Sequence, residues 1–385
     1  MKDTSQNLIS KKINGDTLLQ IKDGRILSYY FRKGTVLTLY DHKSFNEIFN
    51  IKLFELIEKS ENEAKTNEKK GDEDEDDDDD EDGYWKSSLK YERRKSISEK
   101  CTVKEISDDS LLVGATQYLI ELKLHEKTYD FKIIKKFGEC ILDINELADK
   151  RIIIITNNYI YVMNKENNEY TMKDINPIMQ NWRIEAVSSR ERFYGKFHQY
   201  FTSYVLPNNR LLLNSFSTEL SYHGGCGTHP PQEFSHSKIV FIDLNKFEEI
   251  KSTNEFIVDA KNIILENVII VQAYYDIFIY DINSLNITKQ MNLKNYYNYV
   301  YKYDSHHIIA ISEYENENNI LVYKVENNDL IEKCEIKTAF NFKEVIGWNG
   351  YSIRGYENKK LLVLNDKRII MICHETIYIL SLEID

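Results

Sequence analysis

Between Lys261 and Leu293 short apolar runs alternate with polar breaks. The runs are Val268–Ala273, Ile277–Tyr280 and a weaker one over Leu285–Leu293, parted at Tyr275-Asp276 and Asn283-Ser284. Runs of four to eight β-branched and aromatic residues, split by Asp, Asn and Ser, predict an antiparallel meander. Looser copies of this unit fill most of the chain. The last apolar residue of each presumptive third strand is Tyr40, Leu122, Met163, Ile242, Tyr280, Tyr323 or Leu380. Their spacings are 82, 41, 79, 38, 43 and 57 residues. Three lie near 40, the period of a four-stranded propeller blade. Removing Glu58–Lys100 brings the first spacing to the same value. The third holds two non-repetitive stretches, Asn181–Gln199 and Thr218–His236, or else an eighth, degenerate blade.

The pattern therefore predicts an all-β chain: one closed β-propeller, most simply of seven blades, over residues 1–57 and 101–385, with an acidic, disordered insertion over 58–100. The first blade reads as Thr17–Ile21, Arg25–Phe31, Thr35–Tyr40 and Glu47–Leu53, with Gly24 and Gly34 at tight turns. The last copy lacks a fourth strand, and Asn7–Ile13 is spare. That N-terminal strand is expected to complete the last blade and cover its edge.

Composition sharpens this picture in two places. Tyr (27) and Phe (17) are abundant, as suits pleated sheet faces, while only 4 Pro and 14 Gly leave the turns to Asn, Asp and Lys. The net charge of −12 is concentrated in the unbroken acidic run Asp72–Asp82, and the remainder is nearly neutral. A like-charge block of this density repels itself and predicts a disordered loop. It serves either as a solvated spacer or as a contact for a basic peptide. The basic face of a nucleic-acid binder is not indicated. No run approaches the ~18 apolar residues of a membrane span. Five scattered cysteines suit a reducing compartment. These features predict a soluble cytoplasmic or nuclear protein, a monomer working within a complex.

Asp243 (VFIDL), Asp281 (FIYDI) and Asp41 (TLYDH) end third-strand runs. In period, strand pattern and these aspartates the chain resembles the WD-repeat (WD40-type) β-propellers, and quinoprotein-like propellers fit nearly as well. No copy carries Trp-Asp or opens with Gly-His, so the WD family's Asp–His hydrogen-bond network is not implied here. The resemblance implies a rigid scaffold that docks proteins or peptides through its loops.

Candidate chemistry is sparse. Tyr222–His236 gathers His223, Cys226, His229 and His236. Four N/S ligands of this kind can hold Zn²⁺, although the spacing matches no common zinc module and the Gly and Pro content equally marks an irregular loop. No other cofactor is suggested. Trp182, Tyr222 and Trp348 fall in insertions or junctions, as protein-binding anchors or as side chains packed on blade edges. Arg93-Arg94-Lys95 precedes Ser96, which makes Ser96 and Ser98 phosphorylation candidates on a basic stretch. His306-His307 is expected to open a strand. No nucleophile elbow, phosphate loop, zinc-protease helix or dinucleotide fingerprint is present. The function predicted is a non-catalytic interaction scaffold. The alternatives are an enzyme or metal protein built on the histidine loop, and a receptor subunit of a larger assembly.

Overall fold

The computed structural model describes residues 11–12, 17–29, 36–68, 101–106, 110–156, 158–167, 169–174, 198–221, 232–253, 260–273, 276–293, 297–312, 319–338, 361–373 and 376–382. Its first strand, β1 (Lys11–Lys12), belongs to the last sheet. Blade one is β2 (Thr17–Gln20), β3 (Ile26–Tyr29), β4 (Val36–Tyr40) and β5 (Glu47–Lys52), followed by helix α1 (Leu53–Glu68). Blade two is β6 (Cys101–Glu105), β7 (Ser110–Ala115), β8 (Tyr118–Leu124) and β9 (Tyr129–Lys136). Blade three is β10 (Ile141–Glu146), β11 (Ile152–Thr156), β12 (Tyr159–Met163) and β13 (Tyr170–Asp174). Blade four is β14 (His198–Leu206), β15 (Arg210–Ser221), β16 (Gln232–Asp243) and β17 (Glu248–Ser252). Blade five is β18 (Ala260–Ile264), β19 (Val268–Ala273), β20 (Asp276–Asp281) and β21 (Ile287–Asn292). Blade six is β22 (Tyr297–Lys302), β23 (His307–Ser312), β24 (Asn319–Glu326) and β25 (Asp329–Lys337). Blade seven is β26 (Leu361–Val363), β27 (Arg368–Cys373) and β28 (Thr376–Ser381), completed by β1.

The fold is thus a β-propeller of seven four-stranded antiparallel blades. All seven apolar residues used to align the repeats lie in third strands. The wide third interval is filled by one long-stranded blade, and the described residues contain no eighth sheet. The N-terminal segment takes the expected place, with Lys11 opposite Ile377 and Lys12 opposite Thr376 on β28. Gly24 has φ +93, the left-handed conformation its turn requires. The turn expected at Gly34 lies outside the described residues. The strand expected at His306 begins one residue later, because His306 is held in the preceding turn by its N–H bond to Asp304.

By contact density the chain divides into two compact units, Asn14–Ile144 and Met1–Ile13 with Asn145–Asp385. In the first, one core joins Leu27 and Leu39 of blade one to Val113 and Ile120 of blade two, with Leu53 and Ile57 of α1. In the second, strand alternation sends neighbouring residues into different cores. Ile269 and Val271 pack with Leu212 and Phe241 of blade four, while Val268 and Ile270 pack with Ile308 and Leu321 of blade six. Ile309 and Val322 in turn meet Ile369 and Leu380 of blade seven. A second strand covered on both faces is mostly apolar without alternation, and its few polar residues are buried with it, Gln272 accepting the Val300 N–H at 3.1 Å. Fourth strands are largely exposed, as in β13, β17 and β21.

Candidate functional site

Blade four departs from the repeat. β15 and β16 run for 12 residues each, against 5 for β17. Their register is unbroken from Arg210 opposite Asp243 to Ser221 opposite Gln232. β17 covers only Val240–Asp243, and β14 reaches only as far as Thr218. The hairpin beyond is an arm. Past both flanking strands, from Ser235 to Gln232, it extends about 10 Å at about 3.4 Å per residue. Thr218–His236 was expected to be non-repetitive loop; its two ends instead continue the strands at the backbone level.

The root of the arm is fixed. Leu211–Leu213, Val240 and Phe241 are fully buried. Polar side chains tie it to the next blade: Asn214 donates Nδ2–H to the Ala260 carbonyl at 2.8 Å, and the Ser237 hydroxyl accepts the Ala260 N–H at 2.8 Å. Arg210 donates to the Asn283 and Ile282 carbonyls at 2.7 and 2.8 Å. A projection rooted in this way holds its direction.

Helix α1 is the second feature outside the repeat. It runs past Glu58 to Glu68, into the segment expected to be disordered. Leu53 and Ile57, one turn apart, are buried, and Phe54 and Leu56 pack against the same core. Further along, the Glu61 carboxylate accepts bonds from the Tyr118 hydroxyl and, at 2.7 Å, from the Lys136 ammonium, which also lies 4.9 Å from the Tyr118 ring centre. Glu61, then Tyr118, raises the Lys136 pKa. Burial, then Glu61, raises that of Tyr118. The acidic run Asp72–Asp82 follows this docked helix in sequence and lies outside the described residues, as do Ser96 and Ser98.

Chemically active side chains elsewhere are used for structure. Asp304 Oδ1 accepts the His306 and His307 N–H groups, each at 2.8 Å, and faces His307 Nδ1 at 3.0 Å. Its Oδ2 accepts the Lys367 ammonium at 2.8 Å, and the Tyr303 hydroxyl reaches the Leu382 carbonyl at 3.2 Å. Burial alone would raise the Asp304 pKa. Lys367, the His306 N–H and His307 outweigh it and hold the carboxyl well below the usual range. Both Asp304 oxygens are engaged, and the Lys367 bond joins blade six to blade seven, which makes the group a clamp. Burial pushes the Cys101 thiol up to about 12.

The strand-end aspartates act as turn caps. Asp41, Asp243 and Asp281 each accept two successive backbone N–H groups from the following turn. The fourth residue on, Phe45, Phe247 or Leu285, has positive φ. Sequence reasoning missed a second recurrent device. Asp23/Arg25, Asp149/Arg151 and Asp366/Arg368 form the same paired contact just before a second strand. Arg25 then reaches the His125 carbonyl of the next blade at 2.6 Å. Its signal was present as Asp-x-Arg followed by an apolar run.

The candidate ligands His223, Cys226 and His229 lie outside the described residues, as do Trp182, Tyr222 and Trp348. The backbone of His236 is placed on β16 opposite Ser217. Among the described residues no group of three His, Cys, Asp or Glu is arranged to hold a metal ion.

No protein-family model and no curated protein matches the sequence. Among solved structures, the chain is similar to BamB from Moraxella catarrhalis, with 10% identity over 100% of this chain and 99% of that one and a TM-score of 0.46. It is also similar to Sqt1 of Saccharomyces cerevisiae, with 9% identity, 99% and 100% coverage and a TM-score of 0.46. The WD40 domain of Neurospora crassa Pan2 matches 60% of this chain and 64% of its own, with 13% identity and a TM-score of 0.33. Likenesses at this identity concern fold alone; by its own strand order the chain is a seven-bladed β-propeller.

Proposed function

We propose that this propeller is a non-catalytic scaffold of the cytoplasm or nucleus that binds partner proteins. The partner docks on the β15–β16 arm and the segment 181–199. The acidic run 72–82, which follows α1 in sequence, adds an electrostatic contact with a basic stretch of the partner. The arm is the observation that carries this proposal. The twelve-residue strands outrun both the nine-residue inner strand and the five-residue outer strand of their blade. Backbone that leaves the core adds nothing to its burial, whereas loops and hairpins on a rigid frame are common carriers of binding.

The test replaces Glu219–Phe234 with Asn-Gly, a two-residue turn that closes the hairpin on Thr218 and Ser235. Proteins that co-purify with the full chain and with this variant are compared by mass spectrometry. Loss of the stoichiometric partners at an unchanged melting temperature is expected. The same partners on the shortened variant would exclude the arm. A second variant lacking residues 69–100 should lose partner affinity mainly at low salt, since exposed charges are screened within about 10 Å at 0.1 M.

A further inference from the structure

The outer strands of the blades are exposed edges, and most carry a device that spoils pairing. β5, β9, β17, β21 and β25 each contain a register shift against their inner neighbour, at Leu39/Tyr40, Leu119/Ile120, Phe241/Ile242, Ile279/Tyr280 and Val322/Tyr323. Such bulges twist an edge and interrupt its row of free N–H and C=O groups. β13 has none. It pairs regularly with β12 from Tyr159 opposite Asp174 to Met163 opposite Tyr170, and no described strand lies beyond it. All five of its residues are exposed, including Tyr170 at 44% and Met172 at 53%. Tyr161 supports this face, meeting the Tyr170 ring edge-on at 5.6 Å between centroids.

We infer that β13 is a self-association edge, on which a second copy of this chain pairs antiparallel about a twofold axis through Thr171. The sequence around that axis, Glu169-Tyr170-Thr171-Met172-Lys173, is complementary to its own reverse. Tyr170 lies opposite Met172 of the other copy, a sulfur–aromatic contact, and does so twice. Thr171 lies opposite Thr171. Glu169 lies opposite Lys173 on both sides of the axis, and opposite charges directly across a strand pair stabilise it. The Lys173 side chain is exposed, and that of Glu169 contacts only the Asn167 amide, at 2.8 Å, among described partners. Shifting the axis to Lys173 would set like charges opposite one another. A five-residue strand pair falls well short of the roughly 800 Å² per partner of a standard interface, so the dimer is weak and concentration-dependent.

Sedimentation velocity on the full chain tests this over about 5–500 μM. Reversible dimerisation is expected within that range. Lys173→Glu and Glu169→Lys should each weaken it at least about tenfold by placing like charges opposite one another, and the double reversal should restore it. Both positions are exposed, so the fold is not at risk. A chain that stays monomeric throughout, dimerisation indifferent to the single reversals, or a double reversal that fails to recover it would each overturn the pairing.

Discussion

Replacing Asp304 with Asn keeps the size of the side chain and removes its charge. The carboxylate accepts two backbone N–H groups, faces His307 Nδ1 and accepts the Lys367 ammonium, all within 3.0 Å. The Asn oxygen can still serve the two backbone groups. Its amide nitrogen then points a donor at Lys367, itself only a donor. A hydrogen bond to a charged group contributes about 1.5–3 kcal/mol. Lys367 is 46% exposed, so that figure must be reduced for solvent screening. The expected loss is about 1–2 kcal/mol at pH 7. The pH dependence is diagnostic. Because the folded carboxyl is held below its ordinary value, its contribution is fully present above the unfolded pKa of about 3.9 and is lost as pH falls below it. The assay is urea unfolding of both proteins at pH 7, 5, 4 and 3, with hydrogen exchange followed in β23 and β27. The gap should be constant from pH 7 to 5 and narrow below pH 4. A gap equally large at pH 3, or none at pH 7, would refute the clamp.

Three further outcomes follow from the packing. At Gly114, a Cβ would stand 2.6 Å from Ile141 Cγ2 and 2.8 Å from Thr102 Cγ2, so Gly114→Ala should cost about 1–3 kcal/mol of overpacking; an unchanged denaturation midpoint would contradict this. Deleting residues 1–13 uncovers β28, and the melting temperature should fall by several degrees; no change would mean that β1 does not complete blade seven. Ile57→Asp puts a charge into the site that anchors α1, so limited proteolysis should cut α1 while leaving blades one and two intact; a helix that remained protected would show that Ile57 is not its anchor.

Much of the fold was legible because a propeller repeats one physical demand. Each second strand is covered on both faces, so Val268–Val271 and Ile152–Ile155 stand out as unbroken apolar runs. Each third strand ends in an apolar residue before a polar turn, which fixed the repeat at Tyr40, Ile242 and Tyr280. What escaped notice depends on other signals. Thr218–Ser221 and Gln232–His236 alternate too loosely to announce strands, and it is the pairing inherited from Leu211–Leu213 and Val240–Ile242 that extends them. The Glu-rich sequence of α1 resembles a solvated segment, and only Leu53 and Ile57, one turn apart, mark its buried stripe. The Asp304 clamp joins residues 63 positions apart, beyond any local pattern. Tyr170 and Met172 resemble ordinary strand residues until the missing bulge in β13 is compared with its five counterparts.

The scaffold account is tested most directly by hydrogen–deuterium exchange on the full chain, free and in its native complex. The account predicts that protection on binding concentrates in the backbone of β15 and β16, from Phe216 to Ser221 and from Gln232 to Ser237, with β23 and β27 unchanged. Protection confined to other blades, with the arm exchanging at the same rate in both states, would contradict it.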